Sequence, residues 1–254
     1  QRRQERTSLM NVCGKDIQIQ GKLLRIACVD GDKYECLNDP ATFIAGLRKS
    51  GVRADLFTFV QKLPETTPKY AYPMDWHNFA ALSVSTFDHW WTQQIDNKTR
   101  NMARRAEKKG VTLREVSFDD ALVRGIWEIY NECPMRQGKP VAHRGMSLEK
   151  VRAHAGTFLS QSIFIGAFFE DKMIGFVKLV TNQTRTQAGL MHIVSMVQHR
   201  DKAPTNALIV QAVRSCAARG IPYLSYANFA YGKKQRDSLA DFKENNGFRK
   251  VDVP

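Results

Sequence analysis

The chain is 254 residues long, enough for one large domain or two small ones with ample core. Its apolar share (43%) and charged share (25%) are ordinary, which excludes a disordered chain, and no apolar run reaches membrane-spanning length or reads as a signal peptide. The net charge of +13 favours polyanions such as nucleic acid, a phosphorylated cofactor or an anionic membrane surface, although a merely basic protein fits too; five scattered cysteines without a Cys-x-x-Cys pair exclude a disulfide framework and a zinc site, predict no metal and point to a reducing cytoplasm.

In chain order, residues 1–6 read as a frayed tail. Apolar runs at 23–29 and 34–37 flank Asp30-Gly31-Asp32 and predict a hairpin. Pro40 opens a helix with Phe43, Ile44 and Leu47 on one face, and Gly51 ends it. Residues 55–60 alternate as a strand, 64–73 form a Pro- and Thr-rich loop, and 79–84 read as another strand. The longest helix is predicted from about Thr86 to Lys109, with Ser85 or Thr86 as its cap and Gly110 just past its end; Phe87, Trp91, Ile95, Met102 and Ala106 line one face. A strand at 111–116, an amphipathic helix at 118–133, a long basic loop at 134–146 and a helix at 147–160 follow.

Strands at 163–169, 173–180 and 190–197 come next, then a short basic loop at 198–205 and a helix at 206–219 stopped by Gly220. A strand that feeds a helix through a tight loop leaves backbone N–H groups unpaired, and the helix dipole adds positive potential there, so the junction suits a phosphate or an oxyanion. A strand at 223–227, a basic loop at 231–236, a helix at 238–245 and a last strand at 248–253 complete the order. From Val111 onward this is a mixed α/β sheet with an antiparallel meander in its middle.

That element order, over roughly 111–254, resembles the GNAT acyltransferase superfamily. Two stretches resemble its FemABX branch, in which two GNAT-like units sit in tandem: the basic NKTRNMARRAEKKGV at 97–111, and LADFKENNGF at 239–248, similar to the branch's closing F-K-x-x-F-G helix with Asn246 where an aromatic is usual. The resemblance implies an N-terminal unit over 1–110 and an acyltransferase unit over 111–254, direct transfer of an acyl or aminoacyl group to an amine, and no tightly bound cofactor. GNAT enzymes that use acetyl-CoA carry Arg/Gln-x-x-Gly-x-Gly/Ala between strand and helix. Here the loop from His199 to Asn206 has no glycine, and Pro204 has no N–H to donate. In the FemABX branch that signature is degenerate and the donor is aminoacyl-tRNA; acetyl- or acyl-CoA remains the alternative.

The resemblance places backbone N–H groups between Ile193 and Met196 beside the acyl carbonyl. The candidate donor-binding residues are Met196, Val197, Gln198, Arg200, Lys202, Thr205, Asn206 and Ala207. His192 is a candidate base because imidazole titrates near neutrality, or else a core histidine; Glu132 is a candidate base near the acceptor, or else a surface carboxylate. Tyr226 and Tyr231 follow the strand after which related enzymes place a tyrosine acid, and both also fit ordinary half-buried tyrosines. Arg100, Arg104 and Lys108 form one i,i+4 stripe, with Arg105 beside it. Together with Lys233, Lys234 and Arg236 they outline a track for tRNA, or a solvated positive face. The expected acceptor is a small-molecule or peptide amine. A catalytically silent nucleic-acid or phosphate-binding module on the same fold is the reading from another class.

Overall fold

The computed structural model describes residues 10–31, 34, 37–136, 138–231 and 238–254. By internal contacts the chain divides into a first unit, Gln1–His77 with Asp252–Pro254, and a second, Asn78–Val251.

In the first unit, Cys13 and Gly14 both adopt left-handed backbone (φ 50° and 77°), which closes a two-residue turn between β1 (Met10–Val12) and β2 (Lys15–Gln20). β2 pairs antiparallel with β3 (Ile26–Val29). A crossover through α1 (Pro40–Lys49) then brings β4 (Leu56–Thr58) parallel to β3, giving the order β1-β2-β3-β4. The Asp39 carboxylate accepts from the Thr42 amide at 2.9 Å and Pro40 occupies the first turn, so α1 starts where the sequence places it. Val12, Ile17, Ala27, Val29, Phe43 and Leu47 form the core of this unit. The hairpin expected across Asp30–Asp32 is absent among the described residues: both edges of β3 are taken by β2 and β4, and Tyr34 and Leu37 lie outside any strand. Residues 32, 33, 35 and 36 lie outside the described set.

The second unit opens with β5 (His77–Ser83), then α2 (Phe87–His89), a π-helical turn (Trp90–Gln94) and α3 (Asn97–Lys108). β6 (Thr112–Val116), α4 (Asp120–Asn131), the two-residue strands β7 (Met135–Arg136) and β8 (Lys139–Pro140), and α5 (Leu148–Ala155) follow. β9 (Ser162–Phe169), β10 (Lys172–Thr181) and β11 (Ala188–Ser195) make the meander. A 3₁₀ turn (Val197–Lys202), α6 (Pro204–Ala218), β12 (Tyr223–Asn228), α7 (Ser238–Asn245) and β13 (Arg249–Val253) close the order. The seven-stranded sheet runs β13-β5-β12-β11-β10-β9-β6. β10 is covered on both faces, which is why it reads as an apolar run interrupted only by the buried Lys178 between Met173 and Val180. Gly175 lies against Leu208 of α6, while Phe176 on the other face meets Tyr130 of α4. No helix among the described residues is long and apolar enough to cross a membrane.

By contacts the chain divides at His77/Asn78, where β5 pairs antiparallel with β12 and α3 packs along α6. One sequence expectation shifts. The single helix expected from Thr86 to Lys109 is broken at Ile95 and Asp96, both in extended backbone. Asp96 caps a new helix by accepting from the Thr99 amide at 2.7 Å. Arg100 closes the break: its guanidinium donates to the carbonyls of Trp91 and Ile95, each at 2.7 Å, and to Asn97 Oδ1 at 2.6 Å. Arg100 is therefore committed to holding the chain together. Replacing it with alanine leaves buried carbonyl acceptors without a charged donor, so Arg100→Ala is expected to lose about 2 kcal/mol of unfolding free energy in urea titrations. Arg105→Ala, exposed on the same helix, is expected to lose no more than about 0.5 kcal/mol.

Candidate active site

β11 and β12 run parallel for only two residue pairs, Ala188↔Leu224 and Gly189↔Ser225. Against β10 the register moves from Leu179↔Leu190 to Lys178↔His192, so Met191 is an extra residue on β11. Such a bulge bends its strand and sharpens the local twist, and here it turns β11 away from β12 as soon as their pairing ends. The sheet opens as a wedge between residues 190–195 of β11 and Tyr226 onward in β12.

On the β10 flank of the wedge, Lys178 is fully buried and its ammonium is met by three acceptors: Ala155 O at 2.9 Å, Thr157 Oγ1 at 3.2 Å and Thr157 O. The negative end of α5 thus takes the place of a counter-ion. Burial lowers the Lys178 pKa to about 8. Opposite it, the His192 ring packs 4.8 Å from His154 and 6.2 Å from His143, and His143 stacks on Tyr130 at 4.5 Å. Burial, then the neighbouring His154, His143 and Lys178, hold the His192 pKa at about 3. His143 and His154 are depressed as well, each first by burial. His192 is therefore neutral near pH 7 and a poor acceptor for an ammonium proton, against its expected role as base.

The strand–helix junction holds an anion belonging to the chain. Glu132, just past the end of α4, accepts from the Val197 amide at 3.1 Å and from the Gln198 amide at 2.8 Å, one oxygen to each. Burial pushes its carboxyl upward, but the two amides, Cys133 and the nearby Arg136 outweigh this and hold it below the ordinary glutamate value. Glu132 and the loop residues Val197 and Gln198 are thus brought together, with the carboxylate filling the amides expected for a donor phosphate. Its engaged oxygens and lowered pKa make it a weak base. Met196 is buried and its amide donates to Ile174 O at 2.7 Å, so it is spent inside the sheet. Ala203 adopts left-handed backbone (φ 52°) to enter α6, whose first turn has Pro204 and no side-chain cap. Thr205 Oγ1 lies 2.8 Å from Ser195 Oγ, tying the start of α6 to the end of β11. Asn206 is half-buried and Ala207 buried. Arg200 is exposed, while the Lys202 ammonium sits 4.5 Å over the Phe169 ring and 3.4 Å from Asp201.

On the β12 flank, Tyr226 is the first residue past the last strand pair. Burial raises its pKa well above the usual phenol value, so it stays protonated. A residue not singled out from the sequence stands beside it: Lys243 of α7, fully buried, with its ammonium 4.7 Å over the Tyr226 ring, 5.1 Å over the Tyr231 ring and donating to Asn228 O at 2.5 Å. Nothing local in the sequence marks it: Phe242 is its immediate neighbour and only half-buried, and adjacent helix residues do not share a face. Arg104, Arg105, Lys108, Lys109 and Asn101 line an open groove on α3, with Arg104 also 5.5 Å over Trp91. Lys233, Lys234 and Arg236 lie outside the described residues.

No family model and no curated protein matches the chain. Solved structures do. The C-terminal domain of a putative lysylphosphatidylglycerol synthetase from Agrobacterium fabrum is similar at a TM-score of 0.61 and 12% identity, over 96% of this chain and 82% of its own. FemX is similar at a TM-score of 0.59 and 8% identity, over 94% and 83%. A tandem GNAT protein from the clavulanic acid biosynthesis pathway is similar at 0.52 and 13%, over 94% and 76%. At these identities the likeness is one of fold: the chain has a mixed α/β architecture of two GNAT-like units, as its element order implies, and it shares that architecture with FemX.

The histidine cluster carries a pH signature. His192 has a folded pKa of about 3, below its ordinary value of 6.5, so the unfolded chain takes up the proton first. The stability contributed by the neutral ring is complete above pH 6.5 and is lost as pH falls towards 3. Between pH 6.5 and 4, the wild type is expected to lose stability faster than His192→Asn, by up to about 1 kcal/mol per pH unit in urea titrations. Parallel pH profiles for the two proteins would remove the packed neutral histidine.

Proposed function

We propose that this protein transfers an acyl or aminoacyl group from an activated ester, with aminoacyl-tRNA the favoured donor, to the amino group of a small molecule or peptide. The observation that carries the reading is the wedge between β11 and β12, flanked by the buried Lys243 ammonium and the protonated Tyr226. An ester carbonyl seated in the wedge is attacked by the amine, and the resulting oxyanion is stabilised by Lys243, whose charge acts strongly because it is out of water. The amine attacks in its neutral form, the C–N bond forms and the ester C–O bond then breaks, and the attacking nitrogen gives up one proton to solvent. The departing ribose oxygen takes one from a tyrosine, Tyr226 or the more exposed Tyr231, and that phenolate regains its proton from solvent, so the cycle closes without net proton change. Neither His192 nor Glu132 has the basicity to take the ammonium proton, so positioning and charge carry the step rather than a side-chain base.

Three features favour RNA as the donor's carrier: the net charge of +13, the open basic groove on α3, and a strand–helix loop without glycine. The names of proteins sharing the fold, a putative lysylphosphatidylglycerol synthetase and FemX, agree with aminoacyl chemistry. The test uses tRNA charged with a mixture of amino acids, compared with the same tRNA uncharged. Binding is expected to weaken with salt, with a slope that falls by about 1 for each of Arg104, Arg105 and Lys108 replaced by alanine. Charged tRNA is expected to bind more tightly than uncharged, and Lys243→Met to slow transfer to an added amine by about 100-fold while leaving tRNA affinity within about twofold. Binding indifferent to charging, with no transfer, would instead favour a silent nucleic-acid module.

A further inference from the structure

The amides of Val197 and Gln198 open the turn between β11 and α6, where a chain of this topology offers positive potential to an anion. In this protein they are not open to solvent. Glu132 spans them with both carboxylate oxygens, and its side chain is only 10% exposed. The carboxylate is held from behind by its position at the end of α4, by the neighbouring Cys133–Pro134 turn, and by Arg136 at 3.9 Å. Besides that pair, the junction has the uncapped first turn of α6, where the Thr205 and Asn206 amides lie beyond the two that Glu132 holds. Met196 N–H is spent on Ile174 O, Pro204 has no N–H, Thr205 Oγ1 is bound to Ser195, and Lys202 lies over Phe169 beside Asp201.

We propose that Glu132 is a specificity-determining residue that closes the junction to donors carrying a diphosphate, such as a coenzyme A thioester, and leaves the wedge to esters activated without one. The inference rests on the acyl-transfer reading and deepens it by naming the donor class. A diphosphate approaching Val197 and Gln198 would have to displace a carboxylate satisfied by two amides, and would meet a like charge while doing so. The carboxylate acts by occupying the donor seat and takes no part in bond making.

The experiment titrates coenzyme A and, separately, inorganic pyrophosphate into the wild type, Glu132→Ala and Glu132→Gln by calorimetry. The ¹⁵N shifts of the Val197 and Gln198 amides are followed alongside. Glu132→Gln keeps the side-chain shape and serves where the alanine variant does not fold. Each variant is expected to bind both probes at least about tenfold more tightly than the wild type, with the gain reported by the Val197 and Gln198 amides rather than by α3. The proposal is overturned by a wild type that binds coenzyme A as tightly as the variants, or by folded variants that gain no affinity. Failure of the acyl-transfer reading itself shows up differently, as a wild type that moves no aminoacyl group from charged tRNA whatever the coenzyme A titrations give.

Discussion

The structure turns on how early β11 and β12 part. A parallel pair carries evenly spaced, slanted hydrogen bonds and is stable when buried on both faces, so ending one after two residue pairs inside a seven-stranded sheet forfeits backbone bonds. The bulge at Met191 makes the parting possible: it lets β11, the central strand, stay paired with the covered β10 while leaving β12. Past Ser225, β12 keeps β5 as its other neighbour only through an irregular register between Ser225 and Asn228, with Ala227 in left-handed backbone. Both walls of the wedge are therefore distorted strands. Tyr226 lies on one of these walls, packed against Phe248 and Lys243.

Several charges of the second unit are held by backbone dipoles. Lys178 is met by carbonyls at the end of α5, Glu132 by amides of the 3₁₀ turn, Arg100 by the carbonyls of Trp91 and Ile95, and Lys243 donates to Asn228 O. A helix or turn end supplies partial charge already fixed in direction, so the group it binds loses little freedom beyond its own side chain. The same logic separates the cations by role. Arg100, read from sequence as part of a polyanion stripe, is immobilised under a chain break, whereas Arg104, Arg105 and Lys108 face the groove. Sequence spacing cannot separate them, because the i,i+4 rule describes the helix surface and the break lies just before it.

Most of the second unit was legible because its elements follow strong local rules. β9, β10 and β11 are apolar runs bounded by turns, α4 and α6 carry helical periodicity, and Ser147 marks a helix start, while α6 begins at Pro204, two residues before the expected Asn206, because proline suits the first turn. The misreadings have local causes that a longer-range pattern hid. Asp96 with Thr99 is a capping pair, but an apolar stripe of period near four runs straight through it and masks it. Cys13-Gly14 is a turn of the primed kind, and the eye goes to Asp30-Gly31 instead. β5 could not be assigned to the second sheet from sequence at all, since its partner β12 lies some hundred and forty residues away and nothing local announces that pairing. Glu132 was singled out, though for basicity rather than for the two amides it holds.

Asn246 shows how the same fold tolerates a departure from its closing motif. Where an aromatic is usual, this chain buries an amide: Asn246 Nδ2 donates to Phe242 O at 2.7 Å, and the Asn246 backbone carbonyl accepts from Trp90 Nε1 at 3.1 Å. Gly247 beside it has φ 88° and lies so close to Trp90 that a Cβ would fall 3.1 Å from the indole nitrogen. Trp90 of the π-helical turn packs against this spot, and the glycine after Asn246 leaves room for it. The broken helix, Arg100 across the break and Asn246 at the end of α7 are therefore one packing solution. By fixing α7, that solution also fixes where Lys243 meets Tyr226 at the mouth of the wedge.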